Sequence, residues 1–152
     1  MRKELSWKKG AFSSNYLISN FKKVIGSLKV SVFTSHASGE INGDRYTFQS
    51  QGVLSRTIHV FKKECHSYVA SIKVNFWGSQ ANVRTSEKEY TWRFRNIWQT
   101  KWSLADDKQV LVSGTTNGLN LKGNIAHKGM DDLLVLISLY LKNYMMRRNS
   151  SG

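Results

Sequence analysis

Near its C-terminus the chain reads Met130-Asp131-Asp132-Leu-Leu-Val-Leu-Ile-Ser-Leu-Tyr-Leu-Lys-Asn-Tyr-Met-Met-Arg147-Arg148. This stretch predicts a helix over about 130–148 that is apolar on nearly every side. Such a helix must be enclosed, by protein or by lipid. Leu133 to Met146 is 14 residues, whereas a membrane span needs roughly 20 predominantly apolar ones. At about 1.5 Å per residue it covers about 21 Å of a hydrocarbon core about 30 Å thick. Lys142 would also lie deep in lipid, where an ammonium is costly. A helix buried in protein is therefore expected, with no transmembrane segment; a tail anchor is the lesser alternative.

The helix ends agree with this reading. Asp131 and Asp132 are expected in the first turn and Arg147 and Arg148 in the last, each opposite in sign to the helix dipole there. Gly129 before the helix and Gly152 after it are ordinary punctuation. At 100° per residue Asp131, Ser138 and Lys142 share one narrow sector, expected to face a gap in the enclosing wall or one of its ends.

The preceding residues read as short strands. Alternation is clear at Leu28/Val30/Val32, at Ala70/Ile72/Val74/Phe76, at Tyr90/Trp92/Phe94 and at Val110/Val112, with Leu119, Leu121 and Ile125 marking the last strand region. Weaker candidates are Leu5–Lys8, Tyr16–Asn20, Glu40–Ile41, Arg45–Phe48, Thr57–Lys62, Ala81–Ser86 and Lys101–Leu104. Turn signals separate them: Asn42-Gly43, Gln51-Gly52, Trp77-Gly78-Ser79, Asp106-Asp107-Lys108, Asn117-Gly118 and Lys122-Gly123-Asn124. The chain has no proline, which suits continuous ladders. The expected fold is mostly β: a closed antiparallel barrel of about twelve strands around the hydrophobic C-terminal helix, one domain over 1–152.

Lysine and arginine number 23 against 10 acidic residues, a net charge of +13. Residues 1–76 carry +8 (12 minus 4) and residues 77–152 carry +5 (11 minus 6), so the excess is spread along the sequence. Attraction to polyanions follows, whether nucleic acid or an anionic lipid surface. The plainer alternative is a soluble protein whose outer strand faces carry lysines. The N-terminus has no apolar signal-like segment, so the cytoplasm is the expected location, with or without peripheral membrane contact.

Residues that carry chemistry form no familiar constellation. His36, His59, His66 and His127 lack metal-ligand spacing, so no metal site is expected. Cys65 is read as a small buried or half-buried filler. Cys65 and His66 are adjacent and would point to opposite faces of a strand. Asp106-Asp107 and Asp131-Asp132 are better explained as a turn and a helix start. No phosphate-binding glycine motif occurs, and neither a cofactor nor an enzyme activity is expected.

The many strands, the hairpin Trp102-Ser-Leu-Ala-Asp-Asp-Lys-Gln-Val-Leu-Val112 and the closing Leu133-Leu-Val-Leu-Ile-Ser-Leu-Tyr-Leu141 resemble the tubby C-terminal-like superfamily, with its LURP-one-related, phospholipid-scramblase-like and small bacterial members. The resemblance covers roughly Leu28 to Arg148. It implies a twelve-stranded barrel around the last helix, and it suggests lipid as a partner without carrying over any site residue.

Three readings of function remain. The first is a non-enzymatic module binding an anionic, phosphoinositide-like membrane surface through outward-facing Lys73, Arg84, Arg93 and Arg95. The second is a nucleic-acid binder using the aromatic and basic residues of Tyr90-Thr-Trp-Arg-Phe-Arg-Asn-Ile-Trp98. Strict alternation places Tyr90, Trp92 and Phe94 on one face and both arginines on the other, which favours a core role for the aromatics. The third is a purely structural or interaction domain. Oligomeric state is not legible.

Overall fold

A computed structural model of the protein describes residues 2–10, 13–31, 34–50, 56–117, 119–129 and 131–151. The strands are β1 (Lys3–Lys9), β2 (Asn15–Asn20), β3 (Lys23–Val30), β4 (Ala37–Ile41), β5 (Asp44–Ser50) and β6 (Thr57–Lys62). They continue with β7 (Ala70–Val74), β8 (Gln80–Thr85), β9 (Glu89–Phe94), β10 (Lys101–Ala105), β11 (Val110–Asn117) and β12 (Lys122–His127), followed by helix α1 (Asp132–Ser151). Each strand pairs antiparallel with its sequence neighbours, and β1 pairs with β12 through Leu5 opposite Ile125 and Trp7 opposite Gly123. The result is a closed twelve-stranded barrel, as the sequence leads one to expect. Closure removes the edge strands that would otherwise recruit other chains.

The helix lies within this wall. Every residue from Leu133 to Asn143 is buried, which covers three turns and all sides. Leu136, Ile137 and Leu139 have no exposed surface. The Tyr140 ring stacks on Phe48 with centroids 4.4 Å apart. Asp131 precedes the helix and accepts from the Leu133 N–H at 3.0 Å, and Asp132 accepts from Asn42 Nδ2 at 2.7 Å. Both carboxylates thus sit at the positive end of the dipole.

Strand faces divide as alternation requires. Trp92 is fully buried, Tyr90 and Phe94 are half-buried against the core, and Arg93 and Arg95 are exposed. The wall thins where its largest residues need room. Trp7 lies across from Gly123 and Trp102 across from Gly114, with the two indole rings 6.3 Å apart. A Cβ on Gly123 would lie 1.8 Å from the Thr115 carbonyl oxygen, which also accepts from Trp7 Nε1 at 3.1 Å.

Several expectations need correction. Gly123 belongs to β12, not to a turn, where a Cβ would run into the β11 backbone at the Thr115 carbonyl and then into Trp7. Phe76 and Leu119 are exposed in connections, because β7 ends at Val74 and β12 starts only at Lys122. Cys65 is exposed in the β6–β7 connection and fills no core space. The sector of Asp131, Ser138 and Lys142 meets no gap in the wall: Ser138 and Lys142 are fully buried, and Asp131 is exposed at the base end. The helix runs to Ser151, so only Arg148 lies in its last turn. The expected features at Gln51-Gly52, Val32, Gly118, Met130 and Gly152 lie outside the described residues. Asn42-Gly43 is the expected tight turn, with φ of 48° and 89°.

Trp92→Ala should destabilise by about 3–5 kcal/mol and Gly123→Ala by about 1–3 kcal/mol, while Arg93→Ser should stay within about 0.5 kcal/mol, all read by denaturant melts. Leu136→Asp should cost several kcal/mol, comparable with the whole stability of a domain, because its carboxylate would be buried without a partner.

Candidate functional site

An up-and-down barrel sends its connections alternately to two ends. The base receives β2–β3, β4–β5, β6–β7, β8–β9, β10–β11 and the start of α1; the rim receives the other six connections and the end of α1. Charge is divided between these ends. All ten side-chain carboxylates lie in the base half: Glu4, Glu40, Asp44 and Glu64, then Glu87, Glu89, Asp106, Asp107, Asp131 and Asp132. Eleven of the 23 lysines and arginines share that half, close to balance. The remaining twelve lie in the rim half, where no Asp or Glu occurs among the described residues. The salt bridges Arg45–Glu40, Lys62–Asp44, Arg84–Glu89 and Lys88–Asp106 are accordingly all in the base half.

The rim also carries large apolar side chains in water. Trp77 and Trp98 are 80% and 77% exposed, and Phe76, Ile97 and Leu119 project as well. Four of these sit on two turns of one design, Asn75-Phe76-Trp77-Gly78-Ser79 and Asn96-Ile97-Trp98-Gln99-Thr100. In the first, Asn75 Oδ1 accepts from the N–H groups of Ser79 and Gln80 at 3.0 and 3.1 Å, and Nδ2 donates to Ser79 Oγ at 3.0 Å. In the second, Asn96 Oδ1 accepts from Thr100 and Lys101 at 3.0 and 3.2 Å, and Nδ2 donates to Thr100 Oγ1 at 2.7 Å. The fourth residue of each has a left-handed backbone, Gly78 at φ 69° and Gln99 at φ 59°. In each, its N–H donates to the asparagine carbonyl at 3.2 and 3.3 Å. Asparagine suits this position because its amide satisfies local backbone groups. The two turns are neighbours on the rim, since β8 pairs with β9, and Arg95 lines the groove between them.

The end of α1 fastens the rim from inside. The Arg148 guanidinium donates to the carbonyls of Asn75 and Phe76, and Asn149 Nδ2 donates to Gly78 O at 3.4 Å. Arg147 donates to Ser31 O at 2.6 Å, and the Tyr140 hydroxyl donates to Ser35 O at 2.6 Å.

The four cations singled out from sequence are all exposed. Lys73, Arg93 and Arg95 fall in the rim half, and Arg84 falls in the base half, where it pairs with Glu89. Lys73 and Arg84 line one shallow recess on the outer wall with Ser71 and Tyr68. The exposed tips Phe76, Trp77 and Leu119 and the division of charge escaped the sequence reading. Among the described residues no cluster of His, Cys, Asp or Glu is arranged to hold a metal ion, and no helix is long and apolar enough to cross a membrane.

One further group stands out. Lys142 is fully buried in the barrel, with Nζ 4.4 Å from the centre of the Trp7 ring and 5.2 Å from that of Tyr16. Nζ donates to the Tyr16 hydroxyl at 3.3 Å and to Asn120 Oδ1, and the Tyr16 hydroxyl donates to Asn143 Oδ1 at 2.7 Å. Asn120 belongs to the third rim turn, where its N–H donates to Asn117 O at 3.3 Å. Among the described residues no carboxylate approaches, so loss of hydration, aided by the charge of Lys9, pulls the Lys142 ammonium down to about 7.

Comparison with protein-family models, with curated proteins and with solved structures finds no match to this chain.

The unfolded chain keeps the Lys142 proton up to about pH 10.5, whereas the folded protein releases it near 7. Between these values the unfolded state binds more protons, so stability rises with pH; below the folded value the penalty is present in full. From pH 7 to about 9 the wild type should gain about 2 kcal/mol relative to Lys142→Met, and the variant should be the more stable at about pH 6. Urea melts of both proteins across that range check this.

Proposed function

We propose that the protein is a non-enzymatic module that binds anionic membrane surfaces peripherally, with its rim toward the lipid. The observation that carries this reading is the rim half itself, with eleven lysines and arginines besides the buried Lys142 and no Asp or Glu among the described residues. A net charge of +13 alone is compatible with many roles, but its concentration at one end makes a one-sided field. Each Lys or Arg near an anionic leaflet contributes about 1 kcal/mol, so a handful suffices for recruitment. Phosphatidylserine and phosphoinositide headgroups share the chemistry that such a surface recognises. A nucleic acid also supplies phosphates, but the strand first suspected of stacking on bases turns Trp92 fully into the core.

Vesicles of phosphatidylcholine alone should bind poorly, and adding phosphatidylserine or a phosphoinositide should recruit the protein. Salt should release it, because the Debye length falls from about 10 Å at 0.1 M to about 3 Å at 1 M. Arg93→Ser with Arg95→Ser should weaken binding about tenfold to thirtyfold. Arg84→Ser with Lys88→Ser removes the same charge from the base and should change binding less than about twofold, since exposed paired charges there face away from the lipid. Equal effects of the two pairs, or tight oligonucleotide binding with none to vesicles, would defeat the proposal. Binding to neither polyanion would favour a purely structural or protein-interaction role.

A further inference from the structure

We infer that the rim inserts into the membrane rather than resting on it: the paired turns 75–79 and 96–100 act as wedges that place Phe76, Trp77, Ile97 and Trp98 in the headgroup and upper acyl layer of an anionic bilayer. The inference rests on the reading above and names the part of the rim that enters lipid.

Three observations carry it. First, the tips are large and apolar yet lie in water, at two adjacent positions in each turn. The base exposes Phe21, Val24 and Tyr68 but no tryptophan, whereas the rim gathers two tryptophans with Phe76 and Ile97 on two adjoining turns, and such a cluster on one face marks an interaction surface. Second, the turns are built to project them. Matching asparagine amides, the left-handed residues Gly78 and Gln99, and Arg148 behind the first turn hold the backbone, so little order remains to be lost on docking. Third, tryptophan favours the membrane–water interface, where an apolar ring and a polar N–H are both accommodated.

The same end decides among occupants. A second copy docked rim to rim would bring like charge against like charge, eleven lysines and arginines on each side once the buried Lys142 is set aside, with no carboxylate between them among the described residues. An anionic leaflet instead offers negative charge around an apolar interior, which matches tips ringed by cations such as Arg56, whose guanidinium lies 5.3 Å from the Phe76 ring centre. Leu119, on the turn that Lys142 fastens through Asn120, adds a third point of contact on the same rim.

The protein carries its own reporters. Of its five tryptophans, Trp7, Trp92 and Trp102 are buried, so Trp77 and Trp98 alone are open to lipid. The test uses the full chain with phosphatidylcholine–phosphatidylserine vesicles, with and without phosphatidylcholine brominated along its acyl chains. Wild-type fluorescence should shift to the blue on binding and be quenched by the brominated lipid. A variant with Phe76, Trp77, Ile97 and Trp98 all changed to Ser should melt as cooperatively as the wild type. It should bind at least about tenfold more weakly at about 0.1 M salt. Binding of the wild type without shift or quenching, or full-strength binding by the variant, overturns insertion and leaves electrostatic recruitment standing. No binding to the anionic vesicles, or quenching by an oligonucleotide in their place, overturns both readings.

Discussion

A helix whose first three turns are almost wholly apolar can persist in water only if the rest of the chain surrounds them, and the architecture follows from that demand. Twelve strands closed on themselves provide the enclosure and leave no open edge. The inward residues of the wall are then chosen by the space around the helix. Phe48 stacks on Tyr140, Leu136 lies against Gly39, and glycines at 114 and 123 recede where Trp102 and Trp7 need room. Hydrophobic burial supplies the stability here, and shape decides which residue stands where.

The helix also connects interior packing to the exposed rim. Tyr140 and, in its later turns, Arg147, Arg148 and Asn149 donate to backbone carbonyls of two connections, those of Ser31 and Ser35 and those of Asn75, Phe76 and Gly78. Those bonds give the first wedge a rigid support. Lys142 departs furthest from a largely apolar interior. It holds Asn120 and Tyr16 at the expense of a buried ammonium without a carboxylate, which is a poor choice for stability alone.

Much of the fold was legible because it depends on residue type at fixed periods. Alternation gave β7 and β9 with their faces correctly assigned, and Asn42-Gly43 announced its turn. Gly123 was misread because a glycine in a turn and a glycine beneath a tryptophan look alike in sequence; only the pairing of β1 with β12 distinguishes them. Phe76 extended the alternation of Ala70, Ile72 and Val74 by one step too many, because a period of two does not show where pairing ends. Division of charge was hidden for a different reason. Along the chain the carboxylates look evenly scattered, yet a meander visits each end on every second connection, so the segregation appears only when alternate connections are compared. The matched spacing of Asn75-Phe-Trp-Gly-Ser79 and Asn96-Ile-Trp-Gln-Thr100 was in plain view, and it is the signal that would have located the tips.

The central claim is that wall and helix form one cooperative unit, on which the placement of the rim depends. Native-state hydrogen exchange tests it most directly, by comparing the amides of Leu133 to Asn143 with those of the paired strands. If wall and helix form one unit, the slowest amides of both exchange only through global unfolding and therefore report the same free energy. If the helix amides exchanged through an opening of much lower free energy while the strands stayed protected, the helix would be a detachable plug, and the enclosure could not be what the fold depends on.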